Sequence, residues 1–126
     1  MSAPTLPAYA NEAYADFTLP ANRQRQLDAI AAVRGELGRE YKNRIAGQES
    51  ACGQWLESVN PSRPSEIIGR HAKATATQAA AAVDDAHAYF PEWAATPVER
   101  RVEILVNTAA ILRRRKAEFN AWLILE

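Results

Sequence analysis

TPVERRVEILVNTAAILRRRKAEFNAWLILE, residues 96–126, is the stretch that decides the fold. Val98, Val102, Leu105, Val106, Ala109, Leu112, Phe119 and Leu123 recur close to the helical period, which predicts one long amphipathic helix running to the last residue. Thr96 offers a side-chain oxygen for the N-cap, Pro97 a pre-set φ for the first helical position, and Glu99 an acid for the first turn. The predicted inward face is Val102, Leu105, Val106, Ala109 and Leu112, with Arg113, Arg114, Arg115 and Lys116 left in solvent. Trp122, Leu123, Ile124, Leu125 and Glu126 then finish the helix without the Gly, Asn or Pro that normally stops one. Such an apolar, uncapped end reads as a piece of a longer polypeptide, or as a face that another chain covers.

Upstream of this helix, Thr75 followed by Gln78 has the spacing of a capping box, and the alanine-rich run 79–86 predicts a helix that ends at Pro91. Residues 41–70 change period: Ile45, Trp55, Val59, Ile67 and Ile68 lie in short runs broken by Gly47, Gly53, Pro61, Pro64 and Gly69. Two or three short strands are expected there, with residues 60–65 as the tight connection and pairing resumed near Glu66, because proline cannot donate to a ladder. Leu27, Ala29, Ile30, Val33 and Leu37 predict a third helix over residues 21–37, stopped by Gly38. Residues 1–16 carry Pro4, Pro7, Tyr9 and Tyr14 without a period, and read as an irregular arm whose aromatic rings lie on a surface. The fold expected of the chain is therefore a helix-rich α+β fragment with a short β-hairpin and three helices.

Composition narrows the chemistry. The 126 residues make one domain, 48% hydrophobic and 24% charged, with 15 basic residues balancing 15 acidic ones. A zero net charge supplies no field for nucleic acid or anionic lipid, and no apolar run has the length of a membrane span. Cys52 is the single cysteine, so an internal disulfide and a thiolate metal cluster are both excluded, and a cytoplasmic location is expected.

No residue qualifies as catalytic, cofactor-binding or metal-ligating by these criteria. The glycines at 35, 38, 47, 53 and 69 form no phosphate-cradling loop. His71 and His87 read as surface histidines, since the acids Asp84 and Asp85 near His87 are the sole candidate partners at a metal-binding spacing. Cys52 lies in a small-residue turn with no base beside it, which is the setting of a loop cysteine and not of a nucleophile. Four consecutive basic residues at 113–116 wrap around a helix and cannot form a nucleic-acid stripe, while Trp55, Trp93 and Trp122 read as core or interface anchors.

The order of the segments adds a resemblance. Ile45 to Glu49 (IAGQE), Ser58 to Ser62 (SVNPS), Ser65 to Gly69 (SEIIG), the alanine-rich helix with Trp93, and Arg100, Ile104, Leu105 and the closing stretch resemble the start of the aldehyde dehydrogenase superfamily. Tyr9, Asn11, Glu12, Asp16, Phe17, Asn22, Arg23 and Glu36 to Tyr41 (ELGREY) are similar to the leader of its 1-pyrroline-5-carboxylate dehydrogenase branch. Departures are Ala13, where that branch has proline, and Ser50 to Gln54, which stretch the first hairpin.

The resemblance implies an α/β parent fold, with residues 1–20 as an N-terminal arm and 21–126 as an incomplete NAD-binding and oligomerisation region. It also implies an NAD-dependent aldehyde oxidation through a cysteine thiolate, with a glutamate activating water. Both groups fall after Glu126 in the family, so the chain by itself is expected to be inactive and to bind no NAD. Its expected partners are the rest of an aldehyde dehydrogenase chain and, once complete, further copies of itself. The competing reading is a stand-alone helical module that docks a partner through its apolar end.

Overall fold

Four helices and five short strands follow one another along residues 8–126, the part of the chain that the computed structural model describes. Helix α1, Pro20–Arg34, starts on a proline at its first position and closes at Gly35. This is three residues before the stop predicted at Gly38. Gly38 instead takes φ +77° in the turn that leads into β1, Arg39–Tyr41.

Strands β2 (Asn43–Ile45) and β3 (Gln48–Ser50) form a hairpin of their own around Ala46 and Gly47, both at positive φ. Strands β4 (Trp55–Asn60) and β5 (Arg63–Ala72) pair antiparallel, and β1 joins the other edge of β5 in parallel, giving the order β1-β5-β4. The predicted two or three strands are thus five. One pair, Asn60 with Arg63, closes the turn, and the ladder then resumes at Ile67, beside the expected Glu66. Pro64 fits because the next paired residues are Val59 and Ile67, so it lies in a bulge where no ladder donor is required. The Asn60 side chain ties the turn, accepting from the Ser62 amide at 2.9 Å and donating to Glu66 at 2.6 Å.

Helix α2, Ala76–Ala95, begins with the predicted capping box: Thr75 Oγ1 accepts from the Gln78 amide at 3.1 Å, and Gln78 Oε1 accepts from the Thr75 amide at 3.0 Å. It continues past Pro91, where the ring removes one helical hydrogen bond without ending the helix. Thr96 therefore closes α2 and does not cap its successor; its hydroxyl donates to the Glu92 carbonyl at 3.0 Å. The single long helix of the sequence reading is two: α3, Val98–Arg114, and α4, Lys116–Leu125, divided at Arg115 with φ −98° and ψ 16°. Arg115 pairs with Glu118 and lies 5.3 Å from the Phe119 ring centre, contacts that tie the break to the first turn of α4.

The division sets where the core sits. Ala121 and Leu125 of α4 meet Val33 of α1 and Ile68 of β5, with Ala29, Ile30, Leu37 and Trp122 packed around them. Gln26 is buried in the same seam and donates to the Ala117 carbonyl at 3.0 Å. Helices α2 and α3 bury no residue at all. The chain exposes 9999 Å², against roughly 6,700 Å² for a compact monomer of its mass.

Candidate functional site

The charged groups converge where the arm crosses the junction of α3 and α4. Glu12 accepts from Arg113 Nε at 3.0 Å and pairs with Lys116 Nζ at 3.5 Å, and the same ammonium donates to the Ala13 carbonyl at 2.6 Å. Hydrogen bonding to Arg113, with the charge of Lys116, holds the Glu12 carboxyl below the ordinary glutamate range. Asp16 accepts from the hydroxyl and amide of Thr18, which lower its pKa in the same way, and its carbonyl receives Asn22 Nδ2 at 3.0 Å. The arm is thus laid over the helices by charge. Tyr9 and Tyr14, whose rings were expected to hold it, are 91% and 101% exposed, and residues 1–7 lie outside the described part.

Residues 113–116 are largely solvated as expected, Arg113, Arg114 and Arg115 being exposed and Lys116 half-buried, and the seam adds a partner for three of them. Arg113 and Lys116 reach back to the arm, Arg115 turns to Glu118, and Arg114 lines a cavity of 280 Å³ between the arm, α1 and α4. Nothing in the sequence could signal the Glu12 pairing, since 101 residues separate it from Arg113 and no local period connects them.

The residues that carry chemistry elsewhere do not assemble. Cys52 is half-buried in the turn between β3 and β4, and its thiol faces the Lys73 carbonyl. His71 stacks on Tyr41 across the β1–β5 pair at 5.3 Å, and His87 is exposed on α2. Among the described residues no three His, Cys, Asp or Glu side chains come together as a metal site. Trp122 packs against the core, whereas Trp93 is 39% exposed.

A dinucleotide does not fit the residues present. Its pyrophosphate needs free amides on a glycine-rich turn from strand to helix. The connection from β5 to α2 is instead Lys73, Ala74 and Thr75, with no glycine, and the Thr75 and Gln78 amides are engaged by the capping box. Gly38, Gly47 and Gly53, the glycines at positive φ, all precede strands. No step of an NAD reaction is assigned to these residues.

The apolar stripe of α3 is formed but uncovered. Val102 and Ala109 are half-buried, while Leu105, Val106 and Leu112 are exposed, Leu105 by 70%. The expected burial of that face fails because no described element lies against it. Val83, Tyr89 and Phe90 leave a similar exposed surface on α2. No described helix is long and apolar enough to cross a membrane.

Comparison with known proteins gives these exposed faces a context. The aldehyde dehydrogenase family matches residues 48–126, more than half of the chain. The 1-pyrroline-5-carboxylate dehydrogenase of Geobacillus thermodenitrificans is 46% identical over 118 residues, 94% of this chain and 23% of that protein. The structure of an R100A mutant of Thermus thermophilus 1-pyrroline-5-carboxylate dehydrogenase superposes with a TM-score of 0.92 at 36% identity, over 96% of this chain and 23% of the other. A Thermus 1-pyrroline-5-carboxylate dehydrogenase with bound NAD gives 0.89 at 37% identity, over 93% of this chain and again 23% of the other. The chain therefore spans about a quarter of the length of the proteins it matches, and it belongs to the aldehyde dehydrogenase family.

Proposed function

We propose that the chain is the N-terminal segment of an NAD-dependent 1-pyrroline-5-carboxylate dehydrogenase, which oxidises L-glutamate γ-semialdehyde to glutamate in proline catabolism. The observation that carries this reading is one fold shared at 36% to 46% identity along nearly the whole chain, arm included. In the complete enzyme residues 1–20 form the arm, and residues 21–126 supply the peripheral hairpin and the outer helices of the NAD-binding and oligomerisation region. The thiolate, the water-activating carboxylate and the NAD cradle come from the rest of the enzyme. Such an enzyme works in the cytoplasm as a homo-oligomer and needs neither nucleic acid nor membrane.

The exposed stripes of α2 and α3 support the proposal, because apolar faces of this kind are stable only when something covers them. The test is complementation. Coexpress the chain with the Geobacillus thermodenitrificans enzyme lacking its own matched segment, and follow NADH formation with glutamate semialdehyde. Activity from the pair and from neither part alone is the expected result. A well-folded monomer that forms no complex with the remainder would instead favour the stand-alone interaction module.

A further inference from the structure

From the cavity between the arm, α1 and the start of α4, we infer a binding site for a phosphate dianion, either free or as the monoester of a small metabolite. Arg25, Arg113, Arg114 and Lys116 line it together with the amides of Gln26 and Asn120, and no carboxylate is among its walls. Four cations share one anion, Glu12, which reaches Arg113 and Lys116 from the arm. Arg25 and Arg114 have no ion pair among the described residues.

The groove beside α4's other face shows the contrast: there Arg39 and Arg115 are neutralised by Glu36 and Glu118, and Glu126 adds a further acid. Like charges gathered without that neutralisation repel one another, and a dianion removes the repulsion while accepting their hydrogen bonds. Guanidinium pairs suit phosphate because two parallel N–H groups meet two oxygens. The volume of 280 Å³ holds a phosphate with space for a small organic body. The Asn120 amide makes only a long 3.5 Å contact with Gln26 and is free to turn toward the ligand. The inference stands on these contacts and is independent of the dehydrogenase reading.

Calorimetric titration of the full 126-residue chain with inorganic phosphate and with glycerol 3-phosphate, at ionic strength fixed by sodium chloride, tests the site. Saturable binding of one molecule is expected, weakened about tenfold or more in the Arg25→Gln, Arg114→Gln double variant. Glu12→Gln frees Arg113 and Lys116 and is expected to tighten binding at least threefold, so a gain is predicted as well as a loss. Tighter binding of the ester assigns the site to a phosphomonoester, and tighter binding of inorganic phosphate to the free ion. No saturable binding to the wild-type chain overturns the inference. So does an affinity unchanged in both variants, with far-UV circular dichroism showing each of them folded.

Discussion

Replacing Leu125 with alanine tests whether the α1–α4 seam is the core of this chain. Leu125 is 2% exposed and sits in the last turn of α4 against Val33, Ile68 and Ala121. The substitution removes three carbons, worth about 2.4 kcal/mol of transfer free energy at roughly 0.8 kcal/mol each. Incomplete collapse around the vacated volume adds to this, but a helix end relaxes more readily than a helix centre, so a total of about 3 kcal/mol is expected. For a chain of this length that lowers Tm by about 10 °C. Leu123, two residues earlier on the same helix, is 75% exposed, and its replacement by alanine should stay within about 0.5 kcal/mol, a change of roughly 2 °C or less. Thermal unfolding followed by far-UV circular dichroism compares the two directly. Equal losses, or a loss confined to Leu123→Ala, would show that α4 presents a different face to α1 and would refute the packing described.

The two threonines before helices should behave differently. Thr75→Ala breaks a complete capping box and should cost about 1 kcal/mol, whereas Thr96→Ala, at the end of α2, should lie within about 0.5 kcal/mol; paired denaturant curves decide it. Glu12 titrates below the ordinary glutamate value, so its hold on the arm is complete above that value and is lost as the pH falls through its own lower pKa. The carboxyl carbon resonance of Glu12 should report this low midpoint, and Arg113→Gln should return it toward the ordinary value; an unchanged midpoint would remove Arg113 as the cause.

Local chemistry was legible in the sequence and distant pairing was not. Thr75 and Gln78 announce their capping box because both partners lie within one helical turn. The break at Arg115 gives no such sign, since residues 113–116 are all good helix formers and neither Gly nor Pro interrupts them. Periodicity identified the apolar stripe of α3 correctly as a stripe, but it reports which face wants burial and not whether anything in the chain is there to bury it. The parallel pairing of Arg39–Tyr41 with residues 69–71, thirty residues later, lies outside any local pattern. Pro64 was placed in the connection by a sound rule about ladder donors, and the bulge opposite Val59 is the circumstance that rule leaves open. For the site, the small-residue setting of Cys52 placed it in a loop, where it lies between β3 and β4, while the seam joining Glu12 to Arg113 and Lys116 exists only once the chain is folded.

The central claim is that the exposed faces of α2 and α3 are seams for the remainder of a dehydrogenase. Amide hydrogen exchange measures this most directly, on the chain alone and on the chain fused to the remainder of the Geobacillus thermodenitrificans enzyme. Amides at the α1–α4 seam should be protected in both. Those of α3, Val98–Arg114, should exchange quickly in the chain alone and at least a hundredfold more slowly in the fusion, as expected when local opening is replaced by burial. Equal protection of α3 in the two proteins, with the fusion folded, would contradict the account.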